Sequence, residues 1–233
     1  VVFEGLEDNA GYGIYPHRDR TPGFERDLLV HYLDSRDTAL YLADADGAFC
    51  RVEVPDSASK LVHREWLLIE LREPWTVGGA THPAGALLAA RLDDYLAGAR
   101  DLAVLFAPTD TTALSDITVT RHHVVLTVLD DVKSAIAVLT PGDDGWERRP
   151  LAGVPSLGTV EVGAVDDETS DALWVIATDF LTPSTLLLAD ASADAAPPEV
   201  LKAEPAFFDA DTHVAEQRFA TSDDGTRVPY FLV

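Results

Sequence analysis

The apolar residues of this chain come in short runs, and the runs are broken by turn residues before a helix could form. They include "DLLVHYL" (27–33), "TALYLAD" (38–44), "AFCRVEV" (48–54), "EWLLIEL" (65–71), "DLAVLF" (101–106) and "DITVT" (116–120). "HHVVLTVLD" (122–130), "SAIAVLT" (134–140), "GTVEVGAV" (158–165), "DALWVIATD" (171–179) and "STLLLAD" (184–190) continue the series. Runs of five to eight residues are the usual length of a strand. Between them stand Asp46-Gly47, Pro141-Gly142-Asp143-Asp144-Gly145 and Asp166-Asp167, residue types that set turns. Parallel α/β sheets need crossover helices between strands, and the spacing leaves no room for them. The pattern predicts an all-β fold. One stretch differs. In "LLAARLDDYLAGAR", Leu88, Leu92, Tyr95 and Leu96 have helical spacing, so a strand over 86–90 should lead into a helical turn over 92–97.

The strands recur in groups. Units begin near His63, Ser115 and Thr159, with a partial unit near Asp27, and the irregular period of roughly 45–55 residues suits propeller blades. About four blades are expected, forming a partial β-propeller, with a β-sandwich as the other all-β arrangement open to such strands.

Charge narrows the partners. The 233 residues carry 40 acidic against 17 basic side chains, a formal net charge of −23. Nucleic acid and anionic membranes both require a positive face, so neither is an expected partner. No run approaches the roughly 18 apolar residues of a membrane span. The one cysteine, Cys50, excludes an internal disulfide and a Cys-rich zinc site. Its strand-like context predicts a buried thiol, and a single cysteine fits a reducing, cytoplasmic compartment.

The motifs that could carry chemistry are weak. "GVPSLG" (153–158) approaches the G-x-S-x-G of hydrolase nucleophiles, but Val154 stands where the first glycine is needed, and Pro155 places Ser156 in a loop. His122 and His123 are adjacent, and on a strand they would point to opposite faces and could not share an ion. "DADTH" would set Asp209, Asp211 and His213 on one side of a strand, a conceivable metal site, although a solvated turn explains it as well. "DADG" (44–47) begins like a calcium loop without its remaining ligands. The acidic pairs at 130–131, 143–144, 166–167 and 223–224 fall at turns and build no glycosidase site. "TVGGA" (76–80) reads as a hairpin turn. Trp66, Trp75, Trp146 and Trp174 read as core anchors. No catalytic residue, cofactor-binding residue or metal ligand is assigned, and no cofactor is called for.

Four segments together carry a resemblance: "REWLLIELREPWTVGGATHPAGALLA" (64–89), "LDDVKSAIAVL" (129–139), "TDFLTPSTLLLAD" (178–190) and "FATSDDGTRVPYFLV" (219–233). They resemble the prolyl oligopeptidase family of serine peptidases, in its prolyl branch. The resemblance implies that residues 1–210 form the C-terminal half of a seven-bladed propeller, about four blades. Residues 211–233 would be a linker and first strand leading into an α/β-hydrolase peptidase domain that lies beyond this chain. It further implies that the catalytic triad belongs to that domain, so no catalytic residue carries over, and that the propeller gates access of short proline-containing peptides. Both termini, from Val1 to the apolar strand ending at Val233, have the character of cut ends, and that last strand is expected to want a partner. Open blade faces would drive self-association or distort the ring. The other functional reading is a free-standing propeller that binds a peptide or protein partner.

Overall fold

The computed structural model describes residues 13–155 and 157–233. The chain divides into two compact units, one running to Pro108 and the other starting at Thr109.

The first unit holds two antiparallel four-stranded sheets. One is the meander β1 (Gly13–Asp19), β2 (Arg26–Tyr32), β3 (Thr38–Ala43) and β4 (Phe49–Arg51). The partial unit expected near Asp27 is therefore a full sheet. Its first strand, "GIYPHRD", is too polar to stand out as a buried run. The other sheet is β5 (Ser59–His63), β6 (Trp66–Glu70), β9 (Leu87–Arg91) and β10 (Ala103–Phe106) in that spatial order. Between β6 and β9 the chain makes a separate hairpin, β7 (Trp75–Val77) and β8 (Ala80–His82). Gly78 and Gly79 turn it with φ of 59° and 80°, and a Cβ on Gly78 would collide with the Arg100 carbonyl oxygen. The helix α1 (Leu92–Leu96) follows β9 as its spacing predicts, burying Leu92 and Tyr95. The Tyr95 hydroxyl donates to the Glu53 carbonyl at 2.5 Å. One core joins the two sheets, with Leu28, Leu40, Val52, Leu67, Ile69 and Leu88 among its members.

The second unit repeats the plan. A meander of β11 (Thr112–Val119), β12 (Val124–Asp130), β13 (Lys133–Gly142) and β14 (Gly145–Pro150) is followed by another of β15 (Thr159–Ala164), β16 (Ala172–Thr178), β17 (Thr185–Asp190) and β18 (Glu199–Ala203). Their facing surfaces share a core that includes Val125, Val138, Val160, Leu173, Val175 and Leu187. Leu173 and Val175 are fully buried, each contributing about 1.5–3 kcal/mol. The unit ends in a hairpin of β19 (Glu216–Thr221) and β20 (Arg227–Leu232). The apolar last strand thus has a partner just upstream, one that the polar sequence "EQRFAT" did not announce.

Two burial expectations fail. Cys50 is exposed, because β4 is an edge strand, and its Sγ lies 3.8 Å from Asp44 Oδ2. Trp174 is 40% exposed. Along β16 the alternation sends Leu173, Val175 and Ala177 inward, which leaves Trp174 and Ile176 on the other face.

Candidate functional site

Two of the segments that carry the resemblance, 178–190 with its "FLTP" and 219–233, meet in space. "FLTP" forms the β16–β17 loop, where Asp179 Oδ1 accepts from the amides of Leu181 at 2.8 Å and Thr182 at 2.7 Å. This side-chain turn fixes the loop and lifts Phe180 out of it. Phe180 packs on Phe231 of β20, with ring centroids 4.8 Å apart. Beside them Phe180, Pro183, Glu204, Phe207 and Phe208 line a cavity of about 260 Å³. Phe207 is 86% exposed. An aromatic wall with two carboxylates, those of Asp179 and Glu204, suits an apolar or cationic group rather than an anion.

The terminal hairpin is tied to the β12–β13 turn. Gln217 Nε2 donates to the Asp131 carbonyl at 2.6 Å, and Arg227 Nη1 lies 3.7 Å from Asp131 Oδ2. The Arg227 guanidinium covers the Phe219 ring at 3.4 Å. A cavity of about 360 Å³ sits alongside, lined by Thr111, Leu129, Asp131, Val132 and Pro229 among others. The anchoring turn is tight. Asp131 and Val132 both have positive φ, 47° and 68°, an unfavourable conformation for a β-branched residue. A third cavity, about 430 Å³, opens between β11 and β15 and is lined by the hydroxyl and acidic residues Ser115, Asp116, Thr127, Ser134, Thr159 and Glu161.

The histidines are placed otherwise than a strand would place them. Both precede β12, in the β11–β12 turn. His122 Nδ1 is 2.6 Å from Asp171 Oδ2, and the His122 amide and the Thr120 hydroxyl each donate to Asp171 Oδ1 at 2.8 Å. The Arg121 amide donates to the Ser170 carbonyl at 3.0 Å, completing a latch between the β11–β12 and β15–β16 turns. Burial alone would raise the Asp171 pKa. The bonds from the His122 ring, the Thr120 hydroxyl and the His122 amide outweigh it and hold the carboxyl below the ordinary carboxylate value. His123 is buried, with Nδ1 2.8 Å from Thr140 Oγ1, and burial pushes its pKa down. An imidazole held by a carboxylate is half of a nucleophilic triad. Here the hydroxyl nearest in the network, that of Thr120, gives its proton to Asp171, so the arrangement works as a clasp. Asp171 lies 49 residues from His122, and no local pattern could have paired them.

The remaining sequence candidates stay separate. Ser156 lies outside the described residues. "DADTH" is a short 3-10 turn over Ala210–Thr212 and not a strand. Asp209 caps it by accepting from the Asp211 amide, and His213 Nδ1 lies 3.1 Å from the Asp209 carbonyl oxygen, so the three side chains do not alternate on one face. Asp44 of "DADG" accepts from the amides of Asp46 and Ala48, which makes it a turn former. The paired acids lie at or beside turns. Among the described residues no three His, Cys, Asp or Glu side chains cluster as a metal site would require.

No family model matches the chain. An uncharacterized peptidase of Sinorhizobium fredii is 39% identical over 166 residues, which are 70% of this chain and 22% of that protein. Among solved structures, a post-proline cleaving enzyme from Rickettsia typhi superposes with a TM-score of 0.75 at 20% identity, covering 94% of this chain and 32% of that one. Prolyl oligopeptidase B from Galerina marginata gives a TM-score of 0.64 at 16% identity, over 96% of this chain and 31% of that one. The likeness to solved structures gives the fold, a partial β-propeller. The chain spans less than a third of the length of the proteins it matches.

Proposed function

We propose a role that follows from kinship: this propeller segment is related to the prolyl oligopeptidase family of peptidases, and it serves a serine peptidase that cleaves short proline-containing peptides. The observation that carries the reading is the match of 94% of the chain, at a TM-score of 0.75, to one third of a post-proline cleaving enzyme. In this reading the four sheets gate substrate access and contribute no reacting group. Residues 211–233 then lead toward the peptidase domain, with the Phe180–Phe231 contact steadying the exit strand. Acyl transfer would be carried by a serine elsewhere in the longer protein.

The test has two parts. The 233-residue chain should not hydrolyse a fluorogenic proline peptide. The coding sequence that continues past the Val233 codon should specify a G-x-S-x-G serine. In the longer protein, replacing that serine by alanine should abolish turnover. kcat/KM should fall at least about 100-fold from short peptides to folded substrates, as expected if access is gated. Turnover by the 233-residue chain, a continuation lacking the serine motif, or equal cleavage of folded proteins would overturn the reading.

A further inference from the structure

The cavity between β11 and β15, about 430 Å³ in volume, carries polar groups that the packing of the two sheets does not use. Thr127 and Ser134 are both buried, at 7% exposure each. Thr127 pairs with the core residue Ile136 and shares its face of the sheet; Ser134 stands on that face too, opposite Leu129. Both line the cavity, and among the described residues neither hydroxyl makes a hydrogen bond. A buried hydroxyl without a partner destabilises the fold, so valine or alanine would suit a purely structural role better. Opposite Thr127 the ladder slips. Leu114 pairs with Val128 and Asp116 with Thr127, so Ser115 is an extra residue, and the bulge brings Ser115 and Asp116 together at the cavity. One Asp116 oxygen accepts from the Ile117 amide at 2.9 Å, which leaves the other open. Glu161 adds a second carboxylate from β15, and none of the described lining residues is cationic.

The edge of β15 faces the same gap. The Gly158 carbonyl accepts from the Ser134 amide at 3.2 Å and the Val162 carbonyl from the Thr118 hydroxyl at 2.9 Å, while the Val165 amide donates to Ala172 on the β16 side. Ladder bonds alternate along an antiparallel strand, so the N–H and C=O of Val160 also turn away from β16.

We infer that this cavity binds the ammonium group of a lysine side chain presented by an extended peptide. The two carboxylates attract a cation, and the orphaned hydroxyls accept its protons. An ammonium has three separate donors, whereas a guanidinium fork wants both oxygens of a carboxylate, and Asp116 has one already engaged. Leu129 and Val132 are the exposed apolar part of the lining and suit the alkyl stem. Val160 offers the peptide main chain an edge contact. A bare metal ion would leave most of the volume unfilled, and no cluster of three His, Cys, Asp or Glu ligands awaits it among the described residues. Both walls belong to adjacent sheets of one unit, so no further element is needed to form the site. The inference goes beyond the peptidase reading and does not rest on it, because its test reads binding by the 233-residue chain and not turnover.

That test is an NMR titration in about 150 mM salt with two end-blocked tripeptides, acetyl-Gly-Lys-Gly-amide and its norleucine counterpart. The lysine peptide should bind with a Kd of order 1 mM and shift the Thr127, Ser134 and Val160 amide signals, and the norleucine peptide should bind at least about tenfold more weakly. Asp116→Asn should weaken the lysine peptide about tenfold, and Thr127→Val about threefold without lowering the melting temperature. Asp167→Asn removes the same charge from the β15–β16 turn and should leave binding unchanged, which separates the site from the general pull of a net charge of −23. An end-blocked arginine peptide, and triglycine amide with its free amino terminus, should each bind at least about threefold more weakly than the lysine peptide. Equal binding of the lysine and norleucine peptides would overturn the inference. So would lysine binding that Asp116→Asn leaves intact or Asp167→Asn weakens as much, or tighter binding of arginine or the amino terminus.

Discussion

Replacing Asp171 with alanine should loosen the second unit more than any other single change among its surface turns. The Asp171 side chain is 13% exposed and accepts three hydrogen bonds, from the Thr120 hydroxyl, the His122 amide and the His122 ring. Thr120 is fully buried, so its hydroxyl cannot turn to water when the carboxylate goes, and its contact with the His123 carbonyl is a long 3.4 Å. Hydrogen bonds to a charged group are worth about 1.5–3 kcal/mol each. Taking about 1.5 kcal/mol for the buried Thr120 hydroxyl, about 1 kcal/mol for the exposed His122 amide and about 0.5 kcal/mol for the exposed imidazole gives a loss of roughly 3 kcal/mol. For a unit of this size that is a fall of roughly 10 °C in melting temperature. Asp171→Asn, which keeps an acceptor but loses the charge, should cost about half as much. Thermal unfolding followed by circular dichroism measures both, and hydrogen exchange at the Arg121 amide should quicken in step. The pH dependence has a definite sign. The folded carboxyl titrates below its unfolded value, so its contribution is complete above about pH 4 and is lost as the pH falls through the folded pKa. Asp171→Asn should remove that part of the acid sensitivity. An Asp171→Ala protein within about 0.5 kcal/mol of wild type would refute the clasp.

Other consequences can be measured separately. Val132→Gly should stabilise the β12–β13 hairpin by about 0.5–1 kcal/mol, because it relieves a left-handed valine at the cost of some chain entropy; denaturant midpoints would show it. A double-mutant cycle of Phe180→Ala and Phe231→Ala should return a coupling of about 0.5–1.5 kcal/mol, and additive losses would dissolve the contact between the two motifs. Lys60 is pushed down to about 8 by burial, although it donates to the Thr38 and Asp56 carbonyls. Above that value the unfolded chain binds the extra proton, so the first unit should gain stability from about pH 8 to pH 10, and Lys60→Met should flatten that rise.

The parts of the fold legible in the sequence were those that carry apolar alternation. Every run singled out by hydrophobicity lies on a strand, and the helical spacing at Leu92–Leu96 and the glycine hairpin at Gly78-Gly79 took the expected forms. The strands that escaped notice, β1, β5, β14, β18 and β19, are largely polar or sit at sheet edges. There one side of the ladder is open and no core selects the side chains; in β18 all five residues are exposed. The same limit explains Cys50 and Trp174, since an apolar run shows that a strand is buried but not which of its faces. The His122–Asp171 pair was illegible for a different reason. It is built by stacking two sheets, and stacking leaves no trace in residue spacing. The meeting of Phe180 with Phe231 was likewise hidden, although both lie in segments whose resemblance had marked them.

The sheets are meanders, in which almost every strand pairs with its neighbour in sequence; the one longer step, from β6 to β9, spans only the β7–β8 hairpin. Closing such short loops costs little entropy, and hairpins form in about 1–10 µs. A ribosome adds about 5–20 residues each second, so a sheet's worth of chain emerges over seconds. Each sheet can therefore be complete before the next has left the exit tunnel. For the second unit this fixes an order of birth. The apolar face that carries Leu173 and Val175 is synthesised when the β11–β14 sheet already stands as a template, and its exposure to wrong partners is brief.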